Sequence, residues 1–192
     1  MSDDDGGSRR ALLSGAGAAL AGVGALALAG CGRAAKTGHE SVKTVARPIQ
    51  LADIEILDRL LDLERHTVAA YTAGIPMLTR PDARTAKQFL DEELQHTGEL
   101  LSLIKAAKGK APPRAASYDL GHSVDGAGVL ALLHGLERAQ INAYLDAIPK
   151  LAPGPVRAAA ASILASDAQH IAILRLAQGL PPVPSAFVTG AE

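Results

Sequence analysis

Two stretches of this chain decide its fold: LERHTVAAYTAGIP, residues 63–76, and LERAQINAYLDAIP, residues 136–149. Leu63-Glu64-Arg65, Ala70-Tyr71 and Ile75-Pro76 recur as Leu136-Glu137-Arg138, Ala143-Tyr144 and Ile148-Pro149, each displaced by 73 positions. A second pair of segments repeats with a shift of 74, which matches Glu93 and His96 to Asp167 and His170. Repetition at a fixed spacing marks one supersecondary unit used twice. The expectation is two like hairpins related by a pseudo-twofold axis.

Working outward, four long segments carry a helical apolar period: about 52–75, 81–108, 125–148 and 155–178. Each is punctuated as a helix, with Pro81 and Pro155 at starts and Pro76, Gly109, Pro149 and Gly179 at stops. Short connections at 76–80 and 149–154 make antiparallel neighbours. The middle connection, 110–124, holds Pro112, Pro113 and Gly121. At about 3.3 Å per extended residue it can run the length of a 24-residue helix, about 36 Å. The predicted architecture over 51–178 is therefore an all-α four-helix bundle of two antiparallel hairpins joined by a crossover connection.

Composition agrees. Of 192 residues, 48% are apolar and 20% charged, with three Tyr, two Phe and no Trp. That is too apolar for a disordered chain and too poor in aromatics for most β-sandwiches. One cysteine excludes an intramolecular disulfide framework and a Cys-based zinc site. A formal net charge of -1 argues against nucleic-acid binding, which needs a basic surplus.

Residues 1–30 read as an export signal. Ser8-Arg9-Arg10 precedes an uncharged run, Ala11 to Gly30, that ends in Leu28-Ala29-Gly30-Cys31. Paired arginines ahead of a mildly apolar, glycine-rich stretch resemble a twin-arginine signal, and the last four residues resemble a bacterial lipobox. General secretion stays open as the route, because Asp3-Asp4-Asp5 makes the first residues acidic. A single membrane-spanning anchor is the alternative, but five glycines in the run make a poor spanning helix. The expectation is a lipid on Cys31 and an exported protein, on the outer face of the membrane or in the periplasm. Residues 31–50 would form a flexible tether and 179–192 an extended tail laying Phe187 on the domain. Without residues 1–30 the chain keeps 17 basic and 17 acidic side chains, and all six histidines.

A 3-4 spacing along each helix gives an inward stripe that is apolar except near its middle. There stand Glu64 on the first helix, Glu93 and His96 on the second, His134 and Glu137 on the third, and Asp167 and His170 on the fourth. Counting from the turns puts all four carboxylates at one level of the bundle. Four carboxylates desolvated together would each cost several kcal/mol unless protonated, hydrated or bound to metal. Two divalent cations would balance their charge. Three residues apart on a helix, a carboxylate and an imidazole point the same way and can share a site.

A Glu on one helix and Glu-x-x-His on the next, repeated, resembles the di-metal carboxylate bundle of the ferritin-like superfamily. The leader is similar to that of its exported bacterial members. The resemblance implies that Glu64 and His96 hold one metal, Glu137 and His170 the other, with Glu93 and Asp167 bridging. Iron or manganese suits such oxygen-rich ligands better than copper. Tyr71 and Tyr144 stand two turns after Glu64 and Glu137. The resemblance offers them a redox or ligand-bonding role; as residues they read equally as core aromatics with a satisfied hydroxyl.

Two positions depart from the pattern. Asp167 stands where a second Glu is expected, one methylene shorter. His134 is outside the pattern and has three readings: an extra ligand, a group orienting Glu137, or a buried histidine bonded to a carbonyl. His66, Glu92 and Glu99 fall off the stripe and read as solvated surface. Two functions follow. One is a cell-envelope protein whose iron or manganese pair serves redox chemistry or iron handling, possible oxidase or peroxidase activity included. The other is a non-catalytic envelope module with a decayed metal site. A lipid tether favours a monomer or small oligomer over a storage cage; protein partners are left open.

Overall fold

The computed structural model describes residues 47–123 and 125–192. The export signal, Cys31 and the tether as far as residue 46 lie outside the described residues. Four α-helices make the fold: α1 Leu51–Gly74, α2 Arg80–Ala106, α3 Gly126–Ala147 and α4 Gly154–Ala177. The described residues contain no strand. No helix among them is long and apolar enough to cross a membrane.

Each helix begins where its sequence supplies an acceptor or a fixed φ. Thr79 Oγ1 accepts the Asp82 amide at the start of α2, and Asp125 Oδ1 accepts the Gly128 amide at the start of α3. Asp53 does more. Its Oδ2 accepts the Gln50 amide at 2.8 Å and its Oδ1 the Ala152 amide at 2.8 Å, so one buried carboxylate ties the start of α1 to the loop before α4.

The helix ends differ from expectation in two places. Pro76 and Pro149 sit inside single 3-10 turns, Ile75–Met77 and Ile148–Lys150, that prolong α1 and α3. Proline keeps φ near the helical value but brings no amide to the ladder, so α1 closes in a 3-10 turn in which Leu78 N bonds Ile75 O. The second helix stops at Ala106, two residues before the predicted end, and Lys108 rather than Gly109 takes the left-handed conformation, φ 60°. The Gly109 amide then reaches back to the Ile104 carbonyl. At the end of α4 the glycine does hold that position: Gly179 has φ 73° and Leu180 N bonds Arg175 O.

The two hairpins are α1–α2 and α3–α4. Between them, bonds join Glu64 to Tyr144, Thr67 to Gln140 and Tyr71 to Glu137, so numbers rise along α1 as they fall along α3. α1 and α3 are therefore antiparallel, which requires the chain to cross the whole bundle between α2 and α3. It does so along α1. Gly109 lies against Ile54, the Pro112 carbonyl accepts from Arg65, Tyr118 donates to Asp62 and stacks on His66, and Gly126 lies against Met77. His66, expected as solvated surface, is thus engaged by the crossover, its Nε2 also 3.0 Å from the Asp119 carbonyl.

The apolar core falls into two clusters. One gathers Leu57, Leu61, Leu100, Ile104, Tyr144 and Ile163; the other gathers Tyr71, Phe89, Val129, Leu130, Leu133 and Leu174. Complete burial of each large side chain contributes roughly 1.5–3 kcal/mol. The tail departs from the prediction: Phe187 is 77% exposed. Gly190 docks instead, its carbonyl accepting from Arg138 and Asn142 on α3.

The hairpins approach closely at Gly74, where an added Cβ would stand 2.6 Å from Val129 Cγ1. Valine is stiff at χ1 and cannot move aside without shifting α3. Gly74→Ala is predicted to destabilise the chain by about 1–3 kcal/mol in denaturant unfolding. In a double-mutant cycle Val129→Ala should recover part of that loss; additive costs would show that the two residues do not meet.

Candidate metal centre

The two apolar clusters are separated by one polar layer. Glu64, Glu93, Glu137 and Asp167 are each 0% exposed and His170 is 1% exposed. The helical period puts them there: in each helix the acid sits on the same line as the leucines and isoleucines one and two turns away.

Within the layer, both imidazoles present Nδ1 to the carboxylates. His96 Nδ1 lies 3.4 Å from Glu93 Oε1, 3.5 Å from Asp167 Oδ1 and 3.7 Å from Glu64 Oε2. His170 Nδ1 lies 3.3 Å from Glu93 Oε1 and 3.2 Å from Glu137 Oε1. Ligand atoms therefore converge in two groups, Glu64–Glu93–His96 and Glu93–Glu137–Asp167–His170, with Glu93 common to both. Asp167, expected to bridge with Glu93, belongs to the second group, although its Oδ1 also faces His96.

The acids of the layer are also bonded by side chains outside the two groups. Tyr144 donates to Glu64 Oε1 at 2.5 Å and Tyr71 donates to Glu137 Oε1 at 2.7 Å, each tyrosine reaching across to the other hairpin's acid. Both rings are also fully buried in the core clusters. Glu93 Oε2 accepts from Gln140 at 3.0 Å, and Gln140 Oε1 accepts from Thr67 at 3.0 Å. Glu92 Oε2 stands 2.7 Å from His170 Nε2. A proton held between them at Nε2 fixes the tautomer in which Nδ1, once it gives up its own proton, offers a lone pair on the carboxylate side.

Gln140, Thr67 and Glu92 were not foreseen. Thr67 and Gln140 occupy equivalent repeat positions, three residues after Glu64 and Glu137, and that pairing was the available signal. Glu92, expected as solvated surface, is partly buried because α2 and α4 cross so that the residue beside Glu93 faces the opposite helix. His134 is corrected in the other direction. Leu133 takes the inward position on α3, while His134 is half-buried beside Arg138 and Arg175 and contributes to neither ligand group. Burial and these two cations lower its pKa.

Burial pushes Glu64 up to about 8 and raises Glu137 and Asp167, each further raised by its carboxylate neighbours. Burial opposes charge on Glu93 as well, but the imidazoles of His170 and His96 hold it below the usual carboxylate range. Burial likewise opposes charge on the imidazoles. The Glu64 and Glu93 carboxylates lift His96 to about 10, and Glu137, Glu93 and Glu92 lift His170 to about 11.

Orphaned atoms test whether the layer fits a metal. Glu64 Oε2, Glu93 Oε1, His96 Nδ1, Glu137 Oε2 and both Asp167 oxygens are buried without a hydrogen-bond partner. Buried polar atoms are nearly always paired, because an orphan costs about 1–3 kcal/mol. These orphans are oxygen with one nitrogen and belong to the residues whose ligand atoms converge within 4.8 Å in the two groups. That donor set fits hard or borderline divalent cations.

Comparison with known proteins agrees with the fold. Among solved structures, a conserved hypothetical protein from Mycobacterium tuberculosis superposes with a TM-score of 0.64 at 20% identity, covering 71% of this chain and 96% of that one. A structure titled as ferritin-like, diiron-carboxylate proteins from Bacillus anthracis str. Ames gives a TM-score of 0.50 at 14% identity, covering 66% of this chain and 90% of that one. No curated protein matches the chain. The model of the ferritin-like domain family matches residues 52–180, which take in all four helices and every acid and imidazole of the polar layer, and the chain therefore belongs to that family.

Proposed function

We propose that the chain is an exported, lipid-anchored protein whose bundle binds a pair of divalent iron or manganese ions for redox chemistry or iron handling. The observation that supports it best is the set of inward-facing orphan atoms, grouped in two with Glu93 in common. Glu64, Glu93 and His96 would hold one ion and Glu137, Asp167, Glu93 and His170 the other. Such a pair supplies Lewis acidity and one-electron redox chemistry when bound.

The rest of the chemistry belongs to the chain. Glu93 keeps its charge between the two positions, and the Thr67–Gln140 bond restrains its second oxygen. Tyr71 and Tyr144 each hold one carboxylate oxygen by donating a proton bond, which leaves the other oxygen directed inward. Both hydroxyls resist ionisation, because burial and the acids beside them raise their pKa values. The two apolar clusters exclude water above and below the layer. A decayed site is the less economical reading, since loss of the ligand role removes the reason to keep the orphan atoms buried.

Anaerobic titration of the purified chain with Fe(II) or Mn(II) is expected to reach about two equivalents at micromolar affinity or better. Glu64→Ala and His170→Ala should each lower metal content. Unchanged content and stability in both variants would favour the non-catalytic module.

At pH 7 the metal-free layer holds protons on Glu64, His96 and His170, with pKa values of about 8, 10 and 11. Ions must displace them, so metal binding is predicted to release protons at pH 7 and fewer near pH 10, with affinity rising between. Calorimetry in buffers of different ionisation enthalpy measures the release; none at pH 7 contradicts the assignment.

The lipid anchor rests on Leu28-Ala29-Gly30-Cys31. Cys31→Ser is expected to abolish labelling by a radioactive fatty acid and to move the protein from the membrane to the soluble fraction. Retention in the membrane would indicate the uncleaved anchor instead.

A further inference from the structure

The repeat that matches His96 to His170 also matches Glu92 to Ser166, by the same shift of 74. Across the bundle Glu92 holds the ring of His170, so symmetry would place a carboxylate at position 166 against the ring of His96. A serine stands there. Ser166 lines an open recess of about 200 Å³ with Glu92, Gln95, His96, Ser162 and Ile163.

The two imidazoles are accordingly held in different ways. His170 is 1% exposed, bonded to Glu92 at 2.7 Å and covered by the Phe89 ring, whose centroid is 4.1 Å away. The side chain of His96 is 11% exposed, and no described residue hydrogen-bonds either of its ring nitrogens. With the four acids at 0%, His96 is the ligand side chain that water reaches. Beside the His96 ring the recess offers one carboxylate, one amide and two hydroxyls and neither lysine nor arginine, a lining of oxygen ligands that suits a hydrated cation.

We infer that this recess is the route by which a hydrated divalent cation reaches and leaves the His96 half of the centre, while the His170 half retains its ion. The inference rests on the dinuclear reading above. Replacement of one carboxylate by serine breaks the pseudo-twofold symmetry in two linked respects: it releases His96 and it opens the path to it. Ion departure from the His170 side needs the Glu92 bond broken and Phe89 displaced; departure from the His96 side needs neither.

The full chain loaded with cobalt(II) and then mixed with excess EDTA tests this through the decay of cobalt absorbance. Two phases are expected, separated by about tenfold or more, because outer-sphere partners of metal-bound histidines carry effects of that size. Ser166→Leu should slow loading and extraction of the fast ion without changing stoichiometry, and Ser166→Glu should bring the two phases together. Ser117→Leu, in a separate recess beside the crossover, should alter neither rate. A single phase in the unmodified chain, or an unchanged fast phase in Ser166→Leu, overturns the inference and leaves the dinuclear centre standing. Failure to bind cobalt at all overturns the dinuclear reading itself.

Discussion

Four carboxylates and an imidazole almost wholly withdrawn from water, with a second imidazole at the edge, set the terms for the rest of this structure. Desolvation disfavours every charge in the layer, and the structure answers with counter-charge and hydrogen bonds rather than solvent. Two tyrosines hold one acid each, a threonine–glutamine pair holds Glu93, and Glu92 holds His170. The remaining acceptors stay orphaned and face one another. A layer of this kind cannot be packed around; the apolar core divides into two clusters on either side of it, and each cluster contributes the tyrosine that reaches back in.

Helix direction follows from the same layer. For the acid of one hairpin to meet the tyrosine of the other, α1 and α3 must run antiparallel, and the Thr67–Gln140 bond then joins two residues that the repeat makes equivalent. That arrangement needs the crossover, and the crossover in turn partly covers Arg65 and His66 along the outer side of α1, with Tyr118 stacked on His66. The close approach at Gly74 and Val129 belongs to this geometry too, since a larger residue would hold the hairpins apart. Where the repeat is imperfect, at Glu92 and Ser166, the two halves of the layer differ in exposure and restraint.

The helices were legible because their signals are local: a 3.6-residue apolar period, proline at the start, glycine or proline at the stop. Even so, α2 stops at Ala106 with Lys108 rather than a glycine in the left-handed conformation, and the prolines after α1 and α3 were absorbed into 3-10 turns. The acids and imidazoles of the layer were legible for a related reason. A charged residue on an otherwise apolar line must be satisfied inside, and repetition of the line removes coincidence. His134 misled because it satisfied the same spacing, whereas α3 is rotated to bring Leu133 inward. One residue along a helix is about 100° of rotation, enough to move a side chain out of a site. Phe187 misled because a lone aromatic in a proline-rich tail carries no information about where the tail docks.

The sequence by itself determined that four helices form, that they come as one hairpin used twice, and that carboxylates and histidines meet at one depth. Periodicity and the cost of buried charge are properties of the chain and need no knowledge of neighbours. Only the tertiary structure decided that Glu93 is common to both ligand groups, that Gln140, Thr67 and Glu92 stand behind the ligands, and that His170 is enclosed while His96 meets a recess. Those outcomes depend on how each helix is rotated and how its register falls against the helix opposite, and both are set by packing between segments as many as 99 residues apart in the chain.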